Sequence, residues 1–383
     1  MKPDTKRLMV ATASLIGAII GVGIFGIPYA ISRVGVGVAI LYFVVLGGVQ
    51  LLQHLFLTEA AMACPDKLRL VGLANLYLSK GAGRLIGLAT MLGNWGSLLA
   101  YILVGGTFLH VLLSPFLGGT EFVYQLIWAA VGFVIIYRGL TFISKIDFWA
   151  TVGLVIALTV ILAAGLTKID PVNFVWYTGQ DFIMPYGIIL FSLGGLTAVL
   201  EMEDILAGEH KNYRKAVIVG TLVAAALTAA FGFIVYGLSG SSTMPDAVSG
   251  MKRVLGPGIT VLASLFGFFA VATSFFATGE HLRGTLRHDY GLSKPVAWML
   301  TAVVPVGIFL YGAKNFVNII SFSGAVFGGI QAIILAFLYV AVTKKKLVAN
   351  PLRVPISVAY ACVALLALGA GYEVIVTAQK LLT

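Results

Sequence analysis

The first apolar stretch of the chain carries the residues best placed to bind a ligand. Residues 15–35 read LIGAIIGVGIFGIPYAISRVG, with glycines at positions 21, 23 and 26 and a proline at position 28. Glycine and proline weaken a helix, so this pattern predicts a break in the middle of the stretch. An interrupted membrane helix offers N–H groups to a carboxylate and C=O groups to a cation.

Two later apolar stretches contain matching features. Residues 185–204 read PYGIILFSLGGLTAVLEMED, in which Ser192, Gly194 and Gly195 predict a second break. Residues 264–284 carry the adjacent hydroxyls Thr273 and Ser274 inside an apolar helix. Such hydroxyls either bond back to carbonyls of their own helix or serve as oxygen ligands for a hard cation.

The glycines of the first stretch allow two other interpretations. Residues 21–26 formally match the dinucleotide-binding pattern GxGxxG, but no strand is predicted before them and no acidic residue follows about 20 positions later. Gly17 and Gly21 also form a GxxxG pattern, which brings membrane helices into close contact. Close helix packing therefore stays open as the alternative to a binding site.

Composition places the chain in a membrane. Hydrophobic residues make up 60% of the sequence and charged residues 10%, whereas soluble domains carry about 25% charged residues. A membrane helix needs about 20 predominantly apolar residues. Stretches without any Asp, Glu, Lys or Arg lie at 85–120, 148–167, 182–200, 216–245, 254–279, 315–343 and 354–372.

The predicted fold is all-α and integral to the membrane, with eleven transmembrane helices in one domain, 1–383. The spans are placed at about 8–33, 36–63, 84–113, 121–138, 146–167, 181–203, 213–239, 257–288, 295–312, 315–343 and 353–379. The predicted breaks fall in the first and sixth spans, which are corresponding positions of a five-plus-five inverted repeat. Repeat one then covers about 8–167, repeat two about 181–343, and the extra helix about 353–379.

The basic residues predict the orientation. With the N-terminus in the cytoplasm, 19 Lys and Arg residues fall inside and 6 outside. Cytoplasmic loops carry such an excess. We therefore expect a multi-pass protein of the cell membrane with a cytoplasmic N-terminus and a C-terminus on the other side.

Several functional classes are disfavoured. The net charge of +10 resides in short loops between spans, which argues against nucleic-acid binding. Cys64 and Cys362 suggest neither a disulfide framework nor a metal cluster, no cofactor is expected, and no pattern of a cleaved signal peptide is seen. No HExxH or GxSxG motif points to an enzyme. A channel or a non-transporting amino acid sensor remains an alternative, because fold does not dictate function.

The motifs together resemble a known family. The segments concerned are GAIIGVGIFGIPYA (17–30), AYILVGGTFL (100–109), the acidic end of 185–204 followed by NYRKA (212–216), FFAVATSFF (268–276) and NIISFSGAVFGG (318–329). They resemble the amino acid permeases of the amino acid–polyamine–cation superfamily, nearest the aromatic/hydroxy amino acid and the neutral amino acid/auxin permease branches. The resemblance implies the LeuT-type fold and secondary active transport of an amino acid by alternating access.

The resemblance also implies a coupling-ion site. In sodium-coupled members of this fold, carbonyls from the span-one break and a carbonyl plus two hydroxyls from span eight bind sodium. The matching positions are Gly17, Ile20, Ala270, Thr273 and Ser274. Some proton-coupled relatives instead place a lysine from span five at this location, and residues 146–167 contain none. This favours sodium, with proton coupling as the alternative.

The substrate site implied by the resemblance lies between the two breaks. The substrate carboxylate would meet the backbone of Gly21, Val22 and Gly23. The substrate amino group would meet carbonyls near Ala18, Phe191 and Ser192. Candidates to contact its side chain are Asn94, Tyr101, Leu193, Phe275 and Ser323. Because no charged residue lies mid-membrane near either break, a neutral amino acid is favoured.

Five further polar residues have less specific interpretations. His54 and Glu59 lie toward the cytoplasmic end of span two, where they form interhelical hydrogen bonds or take part in a proton relay. Glu201, Glu203 and Asp204 close span six on the inner side. We interpret these three as partners of nearby basic residues or as an inner gate.

Overall fold

The computed structural model describes residues 3–64, 68–138, 156, 158–206, 210–348 and 350–382, and the regular elements in these ranges are all helical. The helices are α1 (Pro3–Ile19), α2 (Gly26–Val34), α3 (Val36–Met62), α4 (Leu70–Tyr77), α5 (Lys80–Leu117), α6 (Glu121–Arg138), α7 (158–166), α8 (Met184–Ser192), α9 (Leu196–Leu206), α10 (His210–Ser239), α11 (Val248–His288), α12 (Lys294–Tyr311), α13 (Phe316–Phe322), α14 (Gly329–Lys344) and α15 (Ile356–Leu382). This confirms an all-helical membrane architecture.

Nine spans are recognised by length and composition in the described ranges. Eight helices are long and apolar enough to cross a membrane, and the bent pair Thr5–Ile19 with Val22–Val34 adds a ninth. Half of the predicted span at 146–167 lies outside the described residues, and the other half contains α7. The predicted span at 181–203 consists of two short helices, α8 and α9. The count of eleven and the inverted repeat therefore stay predictions.

The expected interruptions lie where the glycines predict them. Span one stops at Ile19, continues as a 3₁₀ turn over Val22–Phe25, and resumes as α2 at an angle of 50°. Span six stops at Ser192 and resumes at Leu196. A third irregularity, the π-helical segment Ser323–Gly328 between α13 and α14, was not predicted. Such segments are rare and occur frequently at functional sites.

The helices pack in two main groups. Helices α1, α2, α3, α8, α9 and α10 contact one another extensively, and we call this group the bundle. Helices α5, α6, α11 and α12 form a second contacting group, which we call the scaffold. The 3₁₀ turn of span one contacts α8 and α10 of the bundle as well as α5 and α11 of the scaffold. The span-one break therefore lies at the boundary between the groups.

Candidate functional site

The break in span one changes the hydrogen bonding of its backbone. The Gly21 amide donates to the Ile19 carbonyl at 2.9 Å instead of continuing the helix to the Gly17 carbonyl. The next bond, from the Ile24 amide to the Gly21 carbonyl at 3.3 Å, begins the 3₁₀ turn. The last carbonyls of α1 and the first amides of the turn are thus released from helical pairing.

Four of the backbone groups at this break are left without a partner. Within the described part of the chain, no hydrogen bond reaches the amides of Val22 and Gly23 or the carbonyl oxygens of Ala18 and Ile20. All these positions except Ala18 are buried. Buried backbone groups are paired in the great majority of proteins. Four unpaired groups within six consecutive residues therefore indicate a site that a polar ligand completes.

The break in span six lies directly against the break in span one. A Cβ atom added to Gly23 would lie 2.6 Å from both Cα and Oγ of Ser192. The Ser192 hydroxyl donates to the Ile188 carbonyl at 2.7 Å, and beyond it the Gly194 amide turns back to the Phe191 carbonyl at 3.2 Å. The two breaks predicted 170 residues apart in the chain are brought into contact, and a glycine at position 23 allows that approach.

The hydroxyl pair of α11 meets the other side of the same break. A Cβ atom added to Gly21 would lie 2.7 Å from the Ser274 Oγ atom. The Thr273 Oγ1 atom donates to the Ala270 carbonyl at 3.1 Å, one turn earlier in the helix. This back-bonding uses the hydrogen of the hydroxyl and leaves its oxygen lone pairs. The oxygen-rich surroundings of the break fit a cation that prefers neutral oxygen ligands.

One predicted side-chain contact, Tyr101, and one predicted source of a carbonyl ligand, Phe191, lie beside these groups. The Tyr101 hydroxyl on α5 lies within hydrogen-bonding reach of Ser274 and Thr278 on α11. Phe191, the residue before Ser192, is half-buried. We therefore place both Tyr101 and Phe191 at the edge of the site.

Ser323 lies within the π-helical segment and faces α5. A Cβ atom added to Gly96 would clash with its hydroxyl oxygen at 2.2 Å. The next residue, Gly324, packs so closely on α8 that an added Cβ would lie 2.7 Å from the Phe191 amide nitrogen. The π-helical segment thus packs directly against the half of span six that leads to its break.

Two other predicted side chains pack in helix interfaces, although the Phe275 ring also meets the Tyr101 ring, with centroids 6.3 Å apart. The Phe275 ring is fully buried and packs against Trp128 and Phe133 of α6, with ring centroids 5.4 Å and 5.0 Å apart. The Leu193 side chain is buried and approaches Gly47 of α3. The structure therefore places both in helix interfaces. The family resemblance had suggested these two residues from their positions on spans six and eight. A position along a helix does not fix the direction of a side chain.

Asn94 has an unused hydrogen-bond donor. Its Nδ2 atom is buried and has no partner in the part of the chain that the structure describes. Asn94 precedes Tyr101 by seven residues on α5, so the two side chains share one face of that helix. A buried donor without a partner is costly, which supports a polar ligand or water at this position.

An aromatic cluster lies immediately beyond the span-one break. Phe25 ends the 3₁₀ turn and packs against Phe108, Phe231 and Phe266, with ring centroids 4.9 Å, 5.8 Å and 5.6 Å away. All four rings are fully buried, and they come from both the bundle and the scaffold. This cluster lies on the side of the site away from the N-terminus. Sequence reasoning missed it, since only the tertiary structure unites the four rings.

The side nearer the N-terminus is polar. A cavity of about 200 Å³ lies among α4, α5, α9 and α11. Its lining is Leu68, Arg69, Leu70, Val71, Thr90, Thr197, Leu200, Glu201, Glu203, Asp204, His281, Thr285 and Asp289. The three acidic residues predicted at the inner end of span six thus face this cavity, and each has an interaction partner. The two sides of the candidate site differ sharply in polarity.

His54 and Glu59 form hydrogen bonds between helices. The Nδ1 atom of His54 lies 2.9 Å from the Thr221 hydroxyl of α10, while its buried Nε2 atom has no partner among the described residues. Glu59 pairs with the Arg214 guanidinium at 2.5 Å and accepts the Leu352 amide at 3.1 Å. Glu59 therefore ties α3 to α10 and to the segment before α15.

Broken membrane helices with unpaired backbone groups at their junction define a secondary transporter of the broken-helix class. Residues 4–376 match the tryptophan/tyrosine permease family. The chain belongs to this family and is a membrane permease, not an enzyme. The assignment to a branch within the superfamily remains a prediction.

The comparison with solved structures supports the same architecture. The fold is similar to that of Mhp1, a nucleobase-cation-symport-1 family transporter in a closed conformation with bromovinylhydantoin bound. The TM-score is 0.59 at 17% sequence identity, and the match covers 85% of this chain and 76% of Mhp1. The transporter fold expected from the sequence is thereby confirmed. A comparison with curated proteins gives no match.

Proposed function

We propose that the chain transports a neutral amino acid across the cell membrane by alternating access, coupled to sodium. The observation that carries this proposal is the group of unpaired backbone atoms at the span-one break, held against Ser192 and Ser274. Backbone donors and acceptors within six consecutive residues match the two charged ends of an amino acid. A substrate is then recognised by groups that every amino acid possesses.

The substrate orientation follows from the polarity of these groups. The carboxylate binds the amides of Val22 and Gly23, and the ammonium group binds the Ala18 carbonyl and carbonyls near Ser192. No charged side chain is among the described residues found to contact either break, so an ionised substrate side chain would lack a partner. The family name points to tryptophan or tyrosine among the neutral amino acids.

Sodium would bind between span one and α11. The carbonyls of Gly17, Ile20 and Ala270 and the hydroxyls of Thr273 and Ser274 supply five oxygens without formal charge. The contact between Gly21 and Ser274 supports this placement. A site of this kind holds the ion weakly and distinguishes it by geometry.

Proton coupling is the second candidate. The observation that favours it is the fully buried His54, whose Nε2 atom lacks a partner within the described ranges. An ionisable residue inside the membrane is a functional candidate in its own right. Glu59 is the weaker candidate because it is already paired with Arg214.

The two sides of the site suggest how access alternates. With the N-terminus in the cytoplasm, the cluster around Phe25 closes the outer side and the polar cavity near Glu201 lies on the inner side. Opening the outer path would require the four rings of the cluster to separate, because they bridge the bundle and the scaffold. The C-terminus then lies outside, which a reporter fused after Thr383 would report.

Uptake into proteoliposomes tests the proposal. Radiolabelled tryptophan, tyrosine and other neutral amino acids are offered while sodium and pH gradients are varied independently. We expect saturable uptake that a sodium gradient drives at constant pH. Uptake driven by pH alone, and lost in His54→Gln, would instead support proton coupling. Saturable binding without uptake would indicate a sensor, and flux that does not saturate would indicate a channel.

A further inference from the structure

A groove on the protein surface lies between α14 and the start of α5. It encloses about 550 Å³ and is lined by Leu78, Ala82, Leu85, Ile333, Ile334, Phe337, Val340, Ala341 and Lys344. Every residue of this lining except Lys344 is apolar. Leu85 and Phe337 are 49% and 40% exposed, so the groove opens outward from the protein.

The length of the groove matches the depth of one membrane leaflet. Ile333 and Lys344 are eleven residues apart on α14, which is about 16 Å at the rise of an α-helix. The hydrocarbon core of a bilayer is about 30 Å thick, so one leaflet contributes about 15 Å. With Lys344 at the headgroup level, Ile333 lies near the middle of the bilayer.

The open end of the groove is strongly basic. Lys344, Lys345 and Lys346 are consecutive and all exposed. No Asp or Glu occurs in 67–120 or in 290–372, so the elements that line the groove contribute no carboxylate to neutralise this run. Basic residues beside a membrane helix attract anionic lipid headgroups, by about 1 kcal/mol for each residue near the surface.

We propose that this groove binds one anionic phospholipid of the cytoplasmic leaflet. An acyl chain lies along α14 on the apolar lining, and the phosphate group meets the lysines at 344–346. Apolar surface without charge would suit any lipid tail or an apolar protein partner. The lysine run at the headgroup end selects a negatively charged occupant. This site is separate from the proposed substrate site and does not depend on what is transported.

Native mass spectrometry of the protein released from vesicles of equal parts phosphatidylglycerol and phosphatidylcholine tests whether a lipid is bound and whether its charge matters. We expect phosphatidylglycerol to be retained preferentially. The triple variant Lys344→Gln, Lys345→Gln, Lys346→Gln should weaken that retention on the order of a hundredfold. The matched triple variant Lys6→Gln, Lys215→Gln, Arg287→Gln removes equal charge from exposed residues on the same membrane face and should retain the lipid.

Filling the groove tests the location without changing the charge. Ala341→Phe should abolish preferential retention while keeping all three lysines, and Ala82→Leu provides a smaller change if the first variant fails to fold. Equal retention of both lipids, equal loss in the two triple variants, or unchanged retention in both filled variants would overturn the proposal. The proposal would also be overturned if soluble glycerol phosphate alone displaced the bound phosphatidylglycerol. Disulfide cross-linking of two copies of the chain through Phe337→Cys would overturn it as well.

Discussion

The bundle and the scaffold differ mainly in their aromatic contacts, since polar groups cross between helices in both of them. In the bundle, polar groups cross between helices: the Gln50 amide donates to the Leu190 carbonyl at 2.5 Å, and Glu59 pairs with Arg214. In the scaffold, aromatic rings interlock: Trp128 packs on Phe268 with centroids 4.9 Å apart. The broken helices belong to the bundle, whereas the scaffold helices carry the aromatic interlock.

This difference indicates which group moves. Hydrogen bonds between membrane helices contribute only about 0.6 kcal/mol on average, so they can break and form again during a transport cycle. Interlocked rings resist small displacements because protein interiors are close-packed. We therefore expect the bundle to shift against the scaffold, with the boundary at the span-one break. The following substitutions test this comparison.

The largest effect is expected at the contact between the two breaks. Gly23→Val would place side-chain atoms within 2.6 Å of the Ser192 backbone, so we expect amino acid binding to be lost. Gly48→Val is the matched control, since Gly48 lies in α3 with nothing near an added Cβ. Equilibrium binding to detergent-purified monodisperse protein measures the difference. If folded Gly23→Val binds the amino acid with wild-type affinity, the break in span one serves only the packing of helices.

The next effect concerns the aromatic packing of the scaffold. Phe275→Ala removes a fully buried ring that contacts α6, and deletion of such a ring costs about 3–5 kcal/mol in soluble proteins. We expect a lower thermal unfolding temperature with substrate affinity per folded molecule unchanged. If affinity falls and stability does not, Phe275 contacts the substrate, as the sequence predicted.

A comparable effect is expected from the buried ion pair of the bundle. Glu59→Gln leaves the Arg214 guanidinium without its carboxylate, and breaking a buried pair costs about 3 kcal/mol. The exposed pair of Arg33 with Asp181, whose side chains are 35% and 53% exposed, is the matched control. Asp181→Asn should cost less than about 1 kcal/mol. Thermal unfolding measures the loss of stability in each variant. Equal losses of stability would contradict the view that Glu59 stabilises the protein through a buried ion pair.

The smallest effect is expected where bundle and scaffold meet at the proposed ion site. Thr273→Ala with Ser274→Ala should remove the dependence of substrate affinity on sodium, a coupling that is typically about 5–150-fold. Ser264→Ala removes another buried hydroxyl from α11 and should leave the coupling intact. Affinity is measured in sodium and in choline at several fixed pH values. If the wild-type protein binds its substrate with the same affinity in both salts at every pH, the assignment of a sodium site to these residues is wrong.

Short-range patterns were sufficient for the all-helical membrane architecture, while the count of eleven spans stays a prediction. Charge-free stretches gave the positions of the spans because burial in lipid excludes charge along a whole helix. The breaks at Gly21–Gly23 and at Leu193–Gly195 were also predictable, because glycine acts on its own backbone. The π-helical segment Ser323–Gly328 was not predictable, because nothing in its local sequence requires an extra residue in a helical turn.

The sequence by itself determined that this protein is a membrane permease with interrupted helices in its first and sixth spans. Only the tertiary structure decided which atoms meet there: Gly21 with Ser274, and Gly23 with Ser192. It also decided that Phe275 and Leu193 point into helix interfaces. The physical reason is that hydrophobicity tells a membrane helix where to lie but not how to rotate. The rotation is set by how closely neighbouring helices approach, and this protein sets it with glycine contacts in both groups and with aromatic rings in the scaffold.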